Sequence, residues 1–249
     1  MADVLTEPFI HIHIPKTAGT SLRASYIQAF GASRVAFLLP GQKLVKTSEL
    51  PFGTEELDVL RRTAREQHLL PQFSTMVQRM NQIKYYETFE LADIVDREIA
   101  VATGHIRHTQ VPDAVAHLAV TTVVRNPLER AWSHYSHWQE AAGTMWWHDG
   151  SIPFSEDVTF ESFAFDPALQ NYQANYLGSI ACATVGIASN LELFMERVGI
   201  AQVPKVLQLN GGLYENLPHF DPGFVHEFEA FHAADYDLYQ EALEEELIA

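Results

Sequence analysis

One segment near the start of the chain constrains the fold more than any other: residues 9–22, Phe-Ile-His-Ile-His-Ile-Pro-Lys-Thr-Ala-Gly-Thr-Ser-Leu. Isoleucines at alternate positions predict a buried strand, and the proline after them ends it because proline has no N–H for the ladder. Gly19 favours a tight turn, and we expect Thr20 or Ser21 to cap a helix over 22–30. A strand, a turn and a helix in this order predict an anion site, because the helix start presents N–H groups that lack intrahelical partners.

The polar groups of this turn would converge on one small volume. Lys16 supplies an ammonium group, and Thr17, Thr20 and Ser21 supply hydroxyls. The nucleotide-binding loop G-x-x-x-x-G-K-[ST] places its lysine after the second glycine, whereas Lys16 precedes Gly19. The segment resembles instead the 5′-phosphosulfate loop of sulfotransferases that use 3′-phosphoadenosine 5′-phosphosulfate (PAPS), closest to the carbohydrate branch of the heparan sulfate 2-O type and its bacterial relatives. The resemblance implies that the donor is bound by Lys16, Thr17, Ala18, Gly19, Thr20 and Ser21.

A second strand-to-helix junction follows residues 119–124. Their sequence, Ala-Val-Thr-Thr-Val-Val, is typical of a buried parallel strand, and the Asn-Pro pair shortly after it favours a helix over 128–142. Arg125 then stands at the carboxyl end of a strand, where ligands bind in open α/β sheets. The spacing Arg125-x7-Ser133 resembles the motif with which the same family holds the 3′-phosphate of its nucleotide. A guanidinium group can bind a phosphate through two parallel hydrogen bonds.

Between the two motifs, a short apolar segment over 99–104 leads to His105. Histidine is the side chain most readily poised to accept a proton near neutral pH. In the carbohydrate branch a Gly-His pair at this place carries the proposed general base, so the resemblance implies that His105 deprotonates the acceptor hydroxyl. Those relatives have a further histidine two positions earlier, where this chain has Thr103. The resemblance also gives Lys16 a catalytic role, which is to neutralise charge on the departing phosphate.

Other histidines occur in pairs whose spacing would suit zinc. These pairs are His11 and His13, His105 and His108, and His134 and His137. The chain has no His-Glu-x-x-His motif and a single cysteine, Cys182, and sulfuryl transfer from PAPS needs no metal in the family. We therefore expect no metal site, and we interpret these histidines as core, surface or substrate-contacting residues.

Composition and charge restrict the partners of the chain. Its 249 residues, of which 47% are hydrophobic and 19% charged, can bury a full core, and we expect one domain over 1–249. A formal net charge of −16 disfavours nucleic acid and long polyanions as partners. We find no membrane-spanning apolar run and no signal-peptide layout, and one cysteine suits a reducing compartment. The expectation is a cytoplasmic protein without a membrane span.

Further elements are expected along the chain: strands over 34–39 and 204–210, and helices over 54–68, 71–85, 191–198 and 235–247. The segments 171–177 and 235–239 also resemble weaker landmarks of the same family. Two segments, 42–86 as a whole and 143–153, match no known pattern. The second contains Trp146 and Trp147, which would suit either a flap over an acceptor or packing in the core.

These features together predict an α/β protein with a mainly parallel central sheet flanked by helices, in a P-loop-like sulfotransferase fold. The resemblance implies a PAPS-dependent sulfotransferase (EC 2.8.2.-) that acts by in-line transfer on a hydroxyl group of a carbohydrate or other small acceptor. One alternative is a nucleotide-dependent phosphotransferase, which is disfavoured by the loop spacing and by the lack of an obvious magnesium-binding carboxylate after a strand. A catalytically silent nucleotide-binding protein is the other. The acceptor and the oligomeric state stay open.

Overall fold

A computed structural model describes residues 8–39, 43–47, 85–143, 149–200 and 217–248. The strands of the described part are β1 (Phe9–Ile12), β2 (Val35–Leu39), β3 (Lys43–Thr47), β4 (Tyr85–Glu90), β5 (Val101–Gly104), β6 (Ala119–Val124) and β7 (Thr184–Ile187). Its α-helices are α1 (Gly19–Phe30), α2 (Pro127–Glu140), α3 (Phe160–Ala164), α4 (Tyr172–Leu177), α5 (Leu191–Arg197), α6 (Pro222–Phe231) and α7 (Ala233–Ile248). None of these helices is both long and apolar enough to cross a membrane.

The described strands form one sheet in the order β4-β3-β2-β5-β1-β6-β7. The five strands from β2 to β7 in that order are parallel, while β3 and β4 are added to one side in antiparallel pairing. The predicted α/β class with a mainly parallel sheet is thereby confirmed. The antiparallel pair was not predicted, since both strands begin within the segment that matched no pattern. A single domain over 1–249 stays a prediction.

The register of the central strands decides what lies at the edge of the sheet. Ile12 at the end of β1 pairs with Gly104 of β5 on one side and with Thr122 of β6 on the other. Helix α1 leads the chain from β1 towards β2, whereas β6 lies on the opposite side of β1. Ligands of open α/β sheets bind where the connections diverge in this way, beyond the carboxyl ends of the strands.

Strand β1 is buried on both faces of the sheet, and this packing fixes the position of its carboxyl end. Ile10 and Ile12 are fully buried in one apolar cluster, together with Trp138 of α2. Phe9 belongs to a second cluster, with Tyr26 of α1. Both faces of a parallel strand are covered in this way when helices lie on each side of the sheet. The loop after β1 therefore leaves from a fixed position.

The helix after β6 begins as predicted. Asn126 caps it, because its side-chain oxygen accepts hydrogen bonds from the N–H groups of Leu128 and Glu129 at 3.1 and 3.2 Å. Pro127 occupies the first helical position, where the missing N–H costs no hydrogen bond. The helix ends at Glu140, two residues before the predicted end at 142.

The start of α1 corrects the prediction that Thr20 or Ser21 caps this helix. The helix begins at Gly19, and its N-cap is Ala18, which makes no side-chain capping bond. The carbonyl of Ala18 accepts from the N–H groups of Ser21 and Leu22 at 3.0 and 3.1 Å. Thr20 and Ser21 thus already lie within the first turn, too late in the sequence to cap it.

The remaining elements agree in part with expectation. Helices α5 and α7 lie within a few residues of the predicted helices over 191–198 and 235–247, and β2 lies within 34–39. Strand β7 and helix α6 were not predicted. The helix over 54–68 and the strand over 204–210 lie outside the described residues. So does the helix over 71–85, apart from Tyr85, which is the first residue of β4.

Candidate active site

The three motifs meet at the carboxyl edge of three adjacent strands. The loop that joins β1 to α1 follows β1, His105 follows β5 and Arg125 follows β6, and the end of β1 pairs with both neighbours. Beyond the strand, the N–H of His13 donates to the carbonyl oxygen of Gly104 at 3.0 Å, so β1 and β5 stay joined as the chain enters the loop.

The loop between β1 and α1 has a strained backbone. Lys16 and Ala18 adopt φ angles of 72° and 70°, in the left-handed region that costs a residue with a side chain about 1–2 kcal/mol. Buried Thr17 closes the turn, because its N–H and its hydroxyl donate to the carbonyl oxygen of Ile14 at 3.3 and 2.9 Å. The hydrogen of the Thr17 hydroxyl is therefore committed to the turn. Strain of this kind persists where the surrounding structure imposes it, often at functional sites.

The positive charge of Lys16 acts on both nearby histidines. Lys16 is half-buried, and its ammonium group contributes to lowering the pKa of His13 and of His105. Ser21, in the first turn of α1, is buried, and that turn contains no acidic residue. The Thr20 side chain is outside the described part of the structure. The start of α1 thus combines a cation with a helix terminus whose N-cap residue, Ala18, supplies no side-chain hydrogen bond, which favours an anion.

His105 has a defined tautomer. Its Nδ1 lies 3.0 Å from the carbonyl oxygen of His13. A carbonyl oxygen only accepts, so Nδ1 carries the hydrogen and Nε2 carries the lone pair. Burial lowers the pKa of His105 to about 4; the charge of Lys16 acts in the same direction, while the hydrogen bond to His13 and the carboxylate of Asp149 oppose it. The ring is neutral at pH 7 and can accept a proton at Nε2.

Arg125 is held at the end of β6 by a residue that carries no signal of this role in the sequence. The side chain of Gln173, on α4, accepts from the N–H of Arg125 at 2.9 Å and donates to its carbonyl oxygen at 2.8 Å. Gln173 is 0% exposed. The guanidinium of Arg125 uses Nε to donate to Glu129 at 3.1 Å, which engages one of its five N–H donors. Gln173 lies within the landmark 171–177, but that pattern does not predict a contact with Arg125.

Ser133, the partner of Arg125 in the predicted motif, is a buried hydroxyl. It is 1% exposed, and its Oγ has no hydrogen-bond partner among the described residues. It lies about 9 Å along the axis of α2 from the first helical residue, at 1.5 Å per residue. Buried polar atoms nearly always have a partner, so this Oγ is a candidate contact for a bound polar group.

Arg130, one turn before Ser133, is buried in the body of the fold. Its guanidinium lies 4.4 Å above the ring of Tyr172, and NH1 lies 3.4 Å from Nδ1 of His134. Burial lowers the pKa of Arg130, and the carboxylate of Asp235 opposes this effect. Arg130 therefore has electrostatic and ring partners within α2, α4 and α7.

A polar cluster is built around Asp149, whose carboxylate acts to raise the pKa of His105. Asp149 accepts from Arg107 at 2.8 Å and from the hydroxyl of Tyr172 at 3.1 Å. The guanidinium of Arg107 also lies 5.0 Å from the ring centre of Tyr176. Asp149 is a residue that the sequence patterns missed. Trp146 and Trp147, which precede it in the chain, lie outside the described residues.

The other histidines that the sequence singled out have varied surroundings. His11 is buried, its Nδ1 lies 3.1 Å from Oγ1 of Thr121, and burial lowers its pKa to about 3. His134 is buried between Phe163 and Tyr172. Half-buried Cys182 has its pKa raised to about 11, chiefly by burial. Within the described ranges, no group of three or more histidine, cysteine, aspartate or glutamate residues is placed to hold a metal ion.

No protein-family model matches the chain, and no curated protein matches it significantly. Among solved structures, the chain is similar to the crystal structure of a sulfotransferase from Alicyclobacillus acidocaldarius, with 13% identity and a TM-score of 0.41 over 93% of each chain. Similarity at this level assigns neither a family nor a function. The functional argument therefore rests on the chain's own residues.

Proposed function

We propose that this protein is a PAPS-dependent sulfotransferase that moves a sulfuryl group to a hydroxyl group of an acceptor. The observation that carries the proposal is the register of β5, β1 and β6. It brings the loop between β1 and α1, the candidate base His105 and the candidate phosphate ligand Arg125 to one edge of the sheet. This loop and the two residues belong to three separate motifs of the sequence. No single motif requires the other two to lie beside it.

The donor would be held at two places. Lys16 and the N–H groups at the start of α1 would bind the 5′-phosphosulfate, with Thr17, Ala18, Gly19, Thr20 and Ser21 forming the loop. Arg125 and Ser133 would bind the 3′-phosphate, and the buried Oγ of Ser133 fits that assignment because it has no hydrogen-bond partner among the described residues. Thr17 would act through the backbone of the turn, since its hydroxyl hydrogen is engaged by Ile14.

Transfer would be in line and would need no metal. The acceptor oxygen attacks the sulfur, the bond from sulfur to the 5′-phosphate oxygen breaks, and 3′-phosphoadenosine 5′-phosphate (PAP) leaves. Nε2 of His105 takes the hydroxyl proton, and the carboxylate of Asp149 favours the imidazolium that forms. Lys16 neutralises the charge that develops on the departing phosphate oxygen.

The acceptor side would be formed by the cluster of Arg107, Asp149 and Tyr172 beside His105. The positive charge of Arg107 is compensated there by Asp149 at 2.8 Å. A net charge of −16 also disfavours a polyanionic acceptor. We therefore favour an uncharged carbohydrate or another small hydroxyl compound over a sulfated polymer as the acceptor.

Thermal unfolding with nucleotides tests this function. A ligand at 100 times its Kd stabilises the folded state by about 2.7 kcal/mol, and PAP is expected to raise Tm more than AMP, ATP or GTP, which lack the 3′-phosphate. Arg125→Ala should remove most of the preference for PAP over AMP, since a hydrogen bond to a charged group contributes about 1.5–3 kcal/mol.

Arg97→Ala is the matched control, because this exposed arginine precedes the amino end of β5, at the opposite edge of the sheet. It should leave the preference for PAP unchanged. Equal shifts with PAP and ATP would contradict the proposal and favour a nucleotide-dependent phosphotransferase. A PAP-specific shift without sulfated product from any hydroxyl acceptor would favour a catalytically silent nucleotide-binding protein.

A further inference from the structure

Two histidine side chains from neighbouring strands lie against each other at the edge of the sheet. The ring of His13, after β1, lies 4.1 Å from the ring of His105, after β5, with 30° between their planes. The main chain of His13 holds the same neighbour: its N–H donates to Gly104 and its carbonyl oxygen accepts from Nδ1 of His105, both at 3.0 Å. One residue thus contacts His105 through its ring and through its carbonyl group.

The His13 ring also touches the start of α1. A Cβ atom built on Gly19 would overlap the Nε2 and Cε1 atoms of His13. Gly19 does not have a positive φ, so it is the missing side chain, and not backbone freedom, that this position requires. The His13 ring therefore fills the space between Gly19, the first residue of α1, and the ring of His105.

His13 is kept neutral where it lies. Burial lowers its pKa well below the ordinary value, and the positive charges of Arg23 and Lys16 act in the same direction, as do His105 and His11 when they are protonated. No carboxylate of the described residues opposes this effect on His13, whereas Asp149 raises the pKa of His105. The His13 ring is therefore neutral near pH 7, and it serves as a packing surface between Gly19 and His105.

We propose that the His13 side chain is a positioning residue, one that sets the separation between the proposed donor-binding loop, residues 16–21, and the base His105. This role rests on the proposed function. Transfer requires the reacting atoms to be held about 3–3.5 Å apart, and a displacement of 1 Å can reduce the rate about 10²-fold. The ring spans the two elements whose separation decides that distance, so its size and flatness matter more than its nitrogen atoms.

Three variants test this role. His13→Ala removes the spacer, His13→Phe retains a flat ring without nitrogen atoms, and His108→Ala is the control. His108 follows β5, as His105 does, and its Nδ1 lies 3.3 Å from the carbonyl oxygen of Tyr176, away from the ring pair. Three quantities are measured for each variant: kcat for sulfuryl transfer, Kd for PAP, and the pKa of His105 by NMR titration of its ring.

We expect His13→Ala to lower kcat about 10–100-fold while Kd for PAP changes less than about threefold. The pKa of His105 should rise from about 4 towards 6.5, because the ring that shields it from water is gone. His13→Phe should keep kcat within about threefold of wild type and leave the pKa of His105 near 4, as should His108→Ala. Rescue by phenylalanine separates positioning from chemistry at the His13 nitrogens.

Two results would overturn the proposal. Normal kcat in His13→Ala would show that the spacing does not depend on the ring. Equally low kcat in His13→Phe and His13→Ala, with the pKa of His105 unchanged in the former, would place the His13 nitrogens in the reaction. If His13→Ala does not fold, His13→Leu fills the volume without a flat ring, and a kcat as high as in His13→Phe would then contradict the proposal. Failure of wild-type protein to prefer PAP over AMP would instead overturn the proposed function.

Discussion

Replacement of Gln173 by alanine would test how the arginine at the end of β6 is held. Gln173 is 0% exposed, and its side-chain amide makes two hydrogen bonds to the main chain of Arg125, at 2.9 and 2.8 Å. Alanine removes both. Each buried group that loses its partner costs about 1–3 kcal/mol. Arg125 is half-buried, so water can reach part of the gap, and we expect the free energy of unfolding to fall by about 2–4 kcal/mol.

Thermal and urea unfolding would measure this loss. For a chain of this length, 1 kcal/mol corresponds to about 2–4 °C in Tm, so the expected decrease is about 4–16 °C. Gln170→Ala is the matched control: among the described residues, the side chain of this exposed glutamine makes one hydrogen bond, to the carbonyl oxygen of Phe231 at 3.0 Å, and its removal should cost about 1 kcal/mol or less. In the Gln173 variant, the preference for PAP over AMP should also fall about tenfold, because the guanidinium of Arg125 is no longer fixed.

Gln173→Glu supplies an intermediate case. A carboxyl group can still accept from the N–H of Arg125, but an ionised one cannot donate to the carbonyl oxygen. An unfolding midpoint for Gln173→Ala equal to that of Gln170→Ala would refute the claim that the two hydrogen bonds to Arg125 stabilise the fold. A large loss of stability with the full preference for PAP retained would show that Arg125 does not need Gln173 for phosphate recognition, or does not recognise the phosphate.

The remaining predictions concern charge. Lys16→Ala should lower kcat by more than it weakens PAP binding, as measured by single-turnover kinetics and titration; a large loss of affinity at normal turnover would make Lys16 a binding residue only. His105→Ala should bind PAP normally yet lose about 10²–10⁴ in turnover. Because the pKa of His105 is lowered to about 4, wild-type kcat/KM should decline only as pH approaches 4, and a decline centred at 6.5 would contradict this. His11 and His232 are buried with pKa values of about 3 and about 4, so the unfolded state binds more protons below pH 6.5. Their contribution to stability is complete above 6.5 and should decrease as pH falls towards 4, by about 1.4 kcal/mol per pH unit each, in urea titrations at several pH values.

The parts of the fold that the sequence predicts are those with local causes. Strand β6 has the predicted bounds because a run of β-branched residues favours a buried strand, and α2 begins where Asn126 and Pro127 supply a cap and a first helical residue. The start of α1 is also local, but two residues with side chains adopt left-handed φ angles there, Lys16 and Ala18. Propensity argues against that conformation, so a cap further along was predicted.

The contacts that build the candidate site are not local. His13 and His105 are 92 positions apart, and Gln173 is 48 positions from Arg125. A pattern can indicate that Gly19 is needed, but the reason for it, the ring of His13 in place of a Cβ, depends on the register of β1 against β5. That register is set by packing on both faces of the sheet, and no spacing in the sequence encodes it.

The two weaker landmarks of the sequence, 171–177 and 235–239, lie in two helices whose starts are joined by hydrogen bonds. Asp235 on α7 accepts from the N–H of Ala174 at 2.8 Å, and Asn171 before α4 accepts from the N–H of Ala234 at 3.1 Å, so each helix start is capped by the other segment. Helix α4 fixed in this way presents Gln173 to Arg125. The residues that would touch the nucleotide thus lie between positions 16 and 133, while those that fix the strand-end arginine lie beyond 170. A chain cut before α4 would keep the guanidinium of Arg125 but lose the contacts that hold it in place.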